Sequence, residues 1–212
     1  MKVLIAITSC ARDRAAQQAI RDTWIKDIPE GVDYRFFLGQ PTAADAKPDE
    51  VFLDVSDEYL KLVDKTKALL DWALNRTYEF IYKADVDTLV CPANLLSSGY
   101  ESHNYMGGLY SAPDIRFASG GSGYWLSAKA ARCVVDKITT DLYEDTFVAK
   151  TCYASGFSLH GHPQYKFAPG SPLTKNTVSY HLSSVYGWRQ DPGASPYTAD
   201  KMYKAYAQFK AL

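Results

Sequence analysis

The apolar positions along the chain fall into short runs and helical stripes that alternate from the first residues onward. Residues 3–8 form a short apolar run that breaks into polar residues, which predicts a buried strand within 2–9. Residues 14–25 carry apolar side chains at helical spacing and stop near Pro29. A second strand is expected at 34–38, closed by Gly39, then a polar loop at 40–50 with two prolines, then a short strand at 51–55. The clearest helix is 59–74, with Leu62, Leu69, Trp72 and Ala73 on one side. A strand at 78–82 runs directly into acidic residues. Beyond it the pattern gives a helix or turn at 89–96, strands at 105–109 and 123–126, and helices at 127–138 and 145–153. The final third is loop-rich, with a strand at 177–181 and a helix from Ala199. Alternation of this kind predicts an α/β layered domain with a mainly parallel central sheet flanked by helices. Such sheets bind ligands beyond the carboxyl ends of their strands. Thr8-Ser9 and Asp85-Val86-Asp87 both fall at such ends.

Composition narrows the classes. The chain has 212 residues, 47% of them hydrophobic, enough for one sizeable core, so a single domain over 1–212 is expected. A formal net charge of -1 lacks the basic excess that a nucleic-acid surface requires. The 16 tyrosines and 4 tryptophans suit sugar contact, although core packing accounts for most of them. Ile7-Thr8-Ser9-Cys10 superficially resembles a lipoprotein cleavage site, but the apolar run before it is too short for a signal segment. No stretch approaches the ~20 apolar residues of a membrane span. A soluble chain is expected, in the cytoplasm rather than the Golgi lumen, because no signal or anchor is present. Cys10, Cys91, Cys133 and Cys152 make no C-x-x-C pair and specify no disulfide framework. Asn75-Arg76-Thr77 is a glycosylation sequon, too short a motif to establish a secretory route.

Asp85 and Asp87 flank Val86. Alternate residues of an extended segment face the same way, so the two carboxylates can converge on one hard cation, Mn²⁺ or Mg²⁺, that bridges to phosphate oxygens. An Asp-x-Asp triplet alone is weak evidence, since two solvated loop acids give the same pattern. Asp85-Val86-Asp87-Thr88 also fits the Asp-x-Asp-x-Thr pattern of haloacid-dehalogenase-type phosphatases, with Asp85 as nucleophile and Asp87 as general acid. That alternative wants the motif early in the chain and a later paired-acid site, and neither is present.

Further segments point to one family. Ile20-Arg21-Asp22-Thr23-Trp24, Phe37-Leu38-Gly39, Asp57-Glu58-Tyr59 with Leu62 and Lys65-Thr66, Lys83-Ala84-Asp85-Val86-Asp87 with Val90, Phe117 through Tyr124, and Glu144-Asp145-Thr146-Phe147-Val148 occur in that order. The ordered set resembles the β-1,3-glycosyltransferase family that includes β-1,3-galactosyltransferases and fringe proteins. Lys61 and Val63 stand where the family has Asn and Thr, and Val86 replaces its middle Asp. The compact form without anchor or stem also resembles the N-terminal glycosyltransferase domains of large multidomain chlorella-virus proteins, so membership of a larger multidomain protein is a further expectation.

The resemblance implies a GT-A domain that moves a sugar from a UDP-sugar donor to a hydroxyl of a glycan or glycoconjugate acceptor. It implies that Thr8, Ser9 and Arg12, with Arg14 nearby, lie at the nucleotide mouth. It makes Asp57, Tyr59, Lys65, Lys83 and Val86 donor-pocket residues, and it places the loop of Gly120, Gly121, Ser122 and Tyr124 beside the donor sugar and acceptor. Asp145 inherits the role of general base in an inverting transfer, with Glu144 beside it as a second catalytic candidate or, alternatively, a sugar-binding acid. His181 resembles the late histidine that joins Asp87 and Asp85 on the metal, and His160 and His162 compete with it. A turn after a strand, exposed helix lysines and acids at a helix start are the plain structural alternatives for these residues. A retaining GT-A enzyme and a non-catalytic carbohydrate-binding module remain open, because neither fold nor Asp-x-Asp decides between them.

Overall fold

The fold is seen in a computed structural model whose described residues are 1–39, 46–167, 171–182 and 194–212. Its centre is β1 (Val3–Thr8), buried along its whole length. Val3, Ile5 and Ile7 join one core cluster, while Leu4 and Ala6 join another on the opposite face. A strand covered on both faces reads as an unbroken apolar run, which is why this one reads so plainly. The same placement disposes of the lipoprotein reading: Cys10 is 8% exposed and sits just past the central strand.

Helix α1 (Arg14–Asp22) buries Ala16, Ala19 and Ile20, one stripe at helical spacing. It stops where the Thr23 hydroxyl bonds back to the Ala19 carbonyl at 2.6 Å, and the next turn, Trp24–Asp27, drives Trp24 fully into the core. Next come β2 (Val32–Leu38), β3 (Glu50–Phe52), α2 (Leu62–Leu74) and β4 (Phe80–Asp85). The loop expected at 40–50 lies outside the described residues as far as position 45. The helix expected from residue 59 opens with a 3-10 turn, Tyr59–Lys61. The fourth strand runs further than expected, so Asp85 is its last residue and not the start of a loop.

The segment at 89–96 divides into β5 (Thr88–Val90) and α3 (Pro92–Leu96). Then follow β6 (Tyr105–Gly107), the hairpin β7 (Leu109–Ala112) and β8 (Ile115–Ala118), and β9 (Tyr124–Ser127). Helix α4 (Ala128–Asp136) starts where the Ser127 hydroxyl accepts the Ala130 amide at 3.3 Å. The chain continues through α5 (Glu144–Ala154), β10 (Leu159–Gly161), β11 (Tyr165–Phe167), β12 (Ser179–His181) and α6 (Ala194–Lys210). The last helix begins five residues ahead of the expected Ala199.

Among the described residues seven strands form the main sheet, in the order β10-β6-β9-β4-β1-β2-β3. All of its pairings are parallel except those of β9, as the alternating pattern predicted. Apolar residues of α2, α4 and α5 join the core on one face, and those of α1, α3 and α6 join it on the other. Strand β1 pairs with β2 on one side and β4 on the other, so the strand order reverses between β1 and β4. A small second sheet sets β12 antiparallel to β5, with His181 opposite Thr88. No helix among the described residues is long and apolar enough to cross a membrane. All four cysteines are free thiols.

Candidate active site

The strand-order reversal opens a crevice past the ends of β1 and β4, where Thr8 lies in register with Asp85. A cleft occupies it, about 440 Å³ including its open mouth, lined by Thr8, Ser9, Arg12, Asp57, Tyr59, Lys65, Asp85, Val86 and Asp87 among others. Nine of the residues expected at the donor and cation thus line one cleft. Arg14 does not join them. Its guanidinium turns to Glu50 at 2.5 Å and to Gln17 at 2.9 Å, a contact across the first loop that sequence spacing could not anticipate.

The loop after β1 is held by buried polar groups. Lys65 is 2% exposed, and its ammonium donates to the Ser9 carbonyl at 2.6 Å and to Asp57. Asp57 also accepts the Gly39 amide at 2.7 Å and the Ala11 amide at 3.3 Å. Gln17 donates to the Ser9 hydroxyl at 2.7 Å and the Cys10 carbonyl at 2.9 Å. Asp57 and Lys65 therefore shape the cleft rather than point freely into it. Gln17 was missed in the sequence, since a glutamine inside a helix carries no motif. The Thr8 hydroxyl is buried in the cleft wall with no hydrogen-bond partner. Arg12 and Tyr59 stand exposed at the rim.

The acidic triplet splits. Asp85 accepts from the Lys83 ammonium at 2.7 Å. Asp87 is fully buried; its Oδ2 lies 2.8 Å from His181 Nε2, and its Oδ1 has no hydrogen-bond partner among the described residues. A desolvated carboxylate oxygen without a partner is costly, and a bound cation would satisfy it. Adjacent oxygen and nitrogen donors suit a borderline cation such as Mn²⁺. Among the described residues no three His, Cys, Asp or Glu side chains gather into a cage. A two-donor protein site is completed by phosphate oxygens and water. His160 stacks on His103 with ring centroids 3.7 Å apart on the edge strand β10, and His162 packs against Tyr165, so neither competes for this position.

The second group of acids begins α5. Glu144 is buried; it accepts from the Tyr124 hydroxyl and, at 3.4 Å, from Thr66, and lies 3.5 Å from the Lys83 ammonium. Burial raises its carboxyl above the ordinary glutamate range, against the pull of Lys83. Asp145 is half-buried and accepts the Thr146 amide at 2.8 Å. Burial raises it too, opposed by that amide, by Lys83 and by a backbone bond from Gly120. Lys83 is 1% exposed, and its ammonium joins the two acidic groups, 2.7 Å from Asp85 and 3.5 Å from Glu144. Tyr124 is fully buried and serves Glu144, while Trp125 on the opposite face stacks on Tyr100 at 3.9 Å. Gly120, Gly121 and Ser122 form the turn between these acids and His181. The Ser122 carbonyl accepts from Tyr82 at 2.9 Å and Ser179 at 2.5 Å.

The galactosyltransferase family model matches residues 15–108. Over those residues the chain is similar to the galactosyltransferase family. Among curated proteins no sequence matches the chain. Solved structures share its fold, among them the following two. The galactosyltransferase LgtC, solved with donor and acceptor sugar analogues, superposes with a TM-score of 0.56 at 14% identity, over 95% of each chain. A glycosyltransferase involved in the glycosylation of the major capsid of PBCV-1 gives 0.52 at 11% identity, over 90% of this chain and 99% of that one. The fold is therefore GT-A, and the phosphatase alternative loses its scaffold.

Proposed function

We propose that the protein moves a sugar from a UDP-sugar donor to a hydroxyl of a glycan or glycoconjugate acceptor, with Mn²⁺ or Mg²⁺ at the diphosphate. The observation that carries this reading is the unpartnered, buried Oδ1 of Asp87, with His181 on its other oxygen, beside a cleft at the strand-order reversal. Asp87 and His181 hold the cation, and Asp85 sits behind them on Lys83. When bound, the cation supplies positive charge against the departing diphosphate. The residues after β1 cradle the nucleotide, the Thr8 hydroxyl offers it a hydrogen bond, and Tyr59 offers it an aromatic face. Asp145 takes the proton of the acceptor hydroxyl as that oxygen attacks the anomeric carbon from the side opposite the nucleotide, which inverts the configuration.

A donor screen with Mn²⁺, read by free UDP release and followed by NMR of the product anomer, tests the proposal. One UDP-sugar is expected to turn over, with inverted product, and Asp87→Ala is expected to abolish the metal-dependent part of UDP binding. A retained configuration would remove Asp145 as base and keep the donor reading. No turnover of any UDP-sugar, with or without metal, would leave a binding module.

A further inference from the structure

Two consecutive glycines touch both chemical centres. A Cβ on Gly121 would fall 2.7 Å from His181 Cε1, 2.8 Å from Nε2 and 2.9 Å from Nδ1, so the imidazole ring lies directly against this backbone. A Cβ on Gly120 would fall 2.7 Å from Glu144 Oε2 and 3.0 Å from Lys83 Nζ. The Gly120 amide also bonds to Asp145. The turn is held from beneath. Thr88, the register partner of His181, donates to the Gly121 carbonyl at 2.7 Å, and Ser179, two residues before His181 on β12, donates to the Ser122 carbonyl at 2.5 Å.

We propose that Gly121 is a positioning residue that seats the His181 ring against Asp87, while its neighbour Gly120 separately sets the Glu144–Asp145 pair. The inference rests on the reading of Asp87 and His181 as the cation site. No rotamer of a side chain at 121 avoids its own Cβ, so any residue but glycine drives the ring away. Contacts that orient a metal-ligating histidine typically matter at the level of 10- to 100-fold in metal affinity. At 120 the atoms in the way are the ends of Glu144 and Lys83, so a methyl group there disturbs the acids and leaves the imidazole in place.

The test measures Mn²⁺ affinity directly, by EPR of free Mn²⁺ in the presence of UDP, on the whole chain. Gly121→Ala is expected to weaken Mn²⁺ about 10-fold or more. Gly120→Ala is expected to leave Mn²⁺ affinity within about 2-fold of the parent, since it spares the ligand, and to lower turnover. Melting temperatures without metal form a double-mutant cycle with His181→Ala. Gly121→Ala is expected to lower the melting temperature in the parent and to lower it far less once the ring is gone. Recovery of folding in the double variant supports the inference even where Gly121→Ala alone does not fold. An equal temperature drop in both backgrounds overturns it, as does unchanged Mn²⁺ affinity in Gly121→Ala or an equal loss in Gly120→Ala. A parent chain that binds no Mn²⁺ would instead remove the cation reading, and the melting cycle would still decide whether Gly121 seats the ring.

Discussion

Glu144 and Asp145 are adjacent acids with opposite surroundings. Glu144 is walled in by Tyr124, Thr66 and Lys83, whereas Asp145 keeps an open side and is steadied by the amides of Thr146 and Gly120. A general base must reach the acceptor hydroxyl, so Asp145 is the member of the pair that can serve. Asp145→Asn keeps the shape and removes the basicity; kcat is expected to fall by roughly 10²- to 10⁴-fold, with UDP affinity by calorimetry unchanged. Burial, the largest cause, holds the Asp145 carboxyl above its ordinary value of 3.8. The base works ionised, so the rate falls as pH drops through that raised value. The acid limb of kcat/KM is expected above pH 3.8, and UDP binding measured at the same pH separates this limb from loss of donor. For Glu144 burial likewise raises the folded-state value above 4.5. The folded chain then holds this proton more tightly than the unfolded chain. Its contribution to stability is fully present below pH 4.5 and is lost as pH rises through the folded value. Glu144→Gln should flatten that decline, as read from urea midpoints over a pH series. A parallel decline in the variant would assign the slope to other groups.

At the scale of elements, the cleft depends on a clasp between β1, β2 and α2. Asp57 joins the Gly39 amide after β2, the Ala11 amide after β1 and the buried Lys65 of α2. Asp57→Ala leaves a desolvated ammonium with the Ser9 carbonyl as its remaining partner in the clasp. Breaking one side of a buried pair costs about 3 kcal/mol. Urea denaturation should show a loss of this order, together with weaker UDP binding. Replacing both partners, Asp57→Asn with Lys65→Met, should cost less than Asp57→Ala, and the opposite order would refute the clasp. Elements with long apolar stripes, such as α1 and α2, were legible in the sequence, as was β1 with both faces covered. Strands β8, β10 and β11 were not, because a charged or polar residue interrupts each of them, Arg116, His160 and Lys166, and leaves no apolar run. The meeting of Lys83 with Glu144, and that of Arg14 with Glu50, depended on distant partners that no local pattern contains. His181 was reachable through the family resemblance alone, since its meeting with Asp87 depends on the β12–β5 ladder.

At the scale of the molecule, the cleft draws on both halves of the chain. It is lined by residues from Thr8 to Lys65, ahead of β4 in the chain, and by Asp85, Val86 and Asp87 at the end of β4, with His181 2.8 Å from Asp87. β1 and β4 hydrogen-bond directly, and past the end of β4 the Val86 amide still donates to the Thr8 carbonyl at 3.1 Å where the cleft opens. On the proposed reading UDP with its cation braces the two sets of residues, the base and ribose against the first and the diphosphate against the second. A ligand that binds the folded state alone, at 100 times its Kd, stabilises it by about 2.7 kcal/mol. For a chain of this size each kcal/mol raises Tm by about 2–4 °C. UDP with Mn²⁺ near that saturation should therefore raise Tm by roughly 5–11 °C. UDP in EDTA should give a clearly smaller shift, and Mn²⁺ alone a smaller one still, because each engages one side. In Asp87→Ala the increment that Mn²⁺ adds to UDP should vanish while the shift from UDP alone persists. Equal shifts with Mn²⁺ and with EDTA would mean that the nucleotide binds without a cation and that Asp87 is buried for another reason.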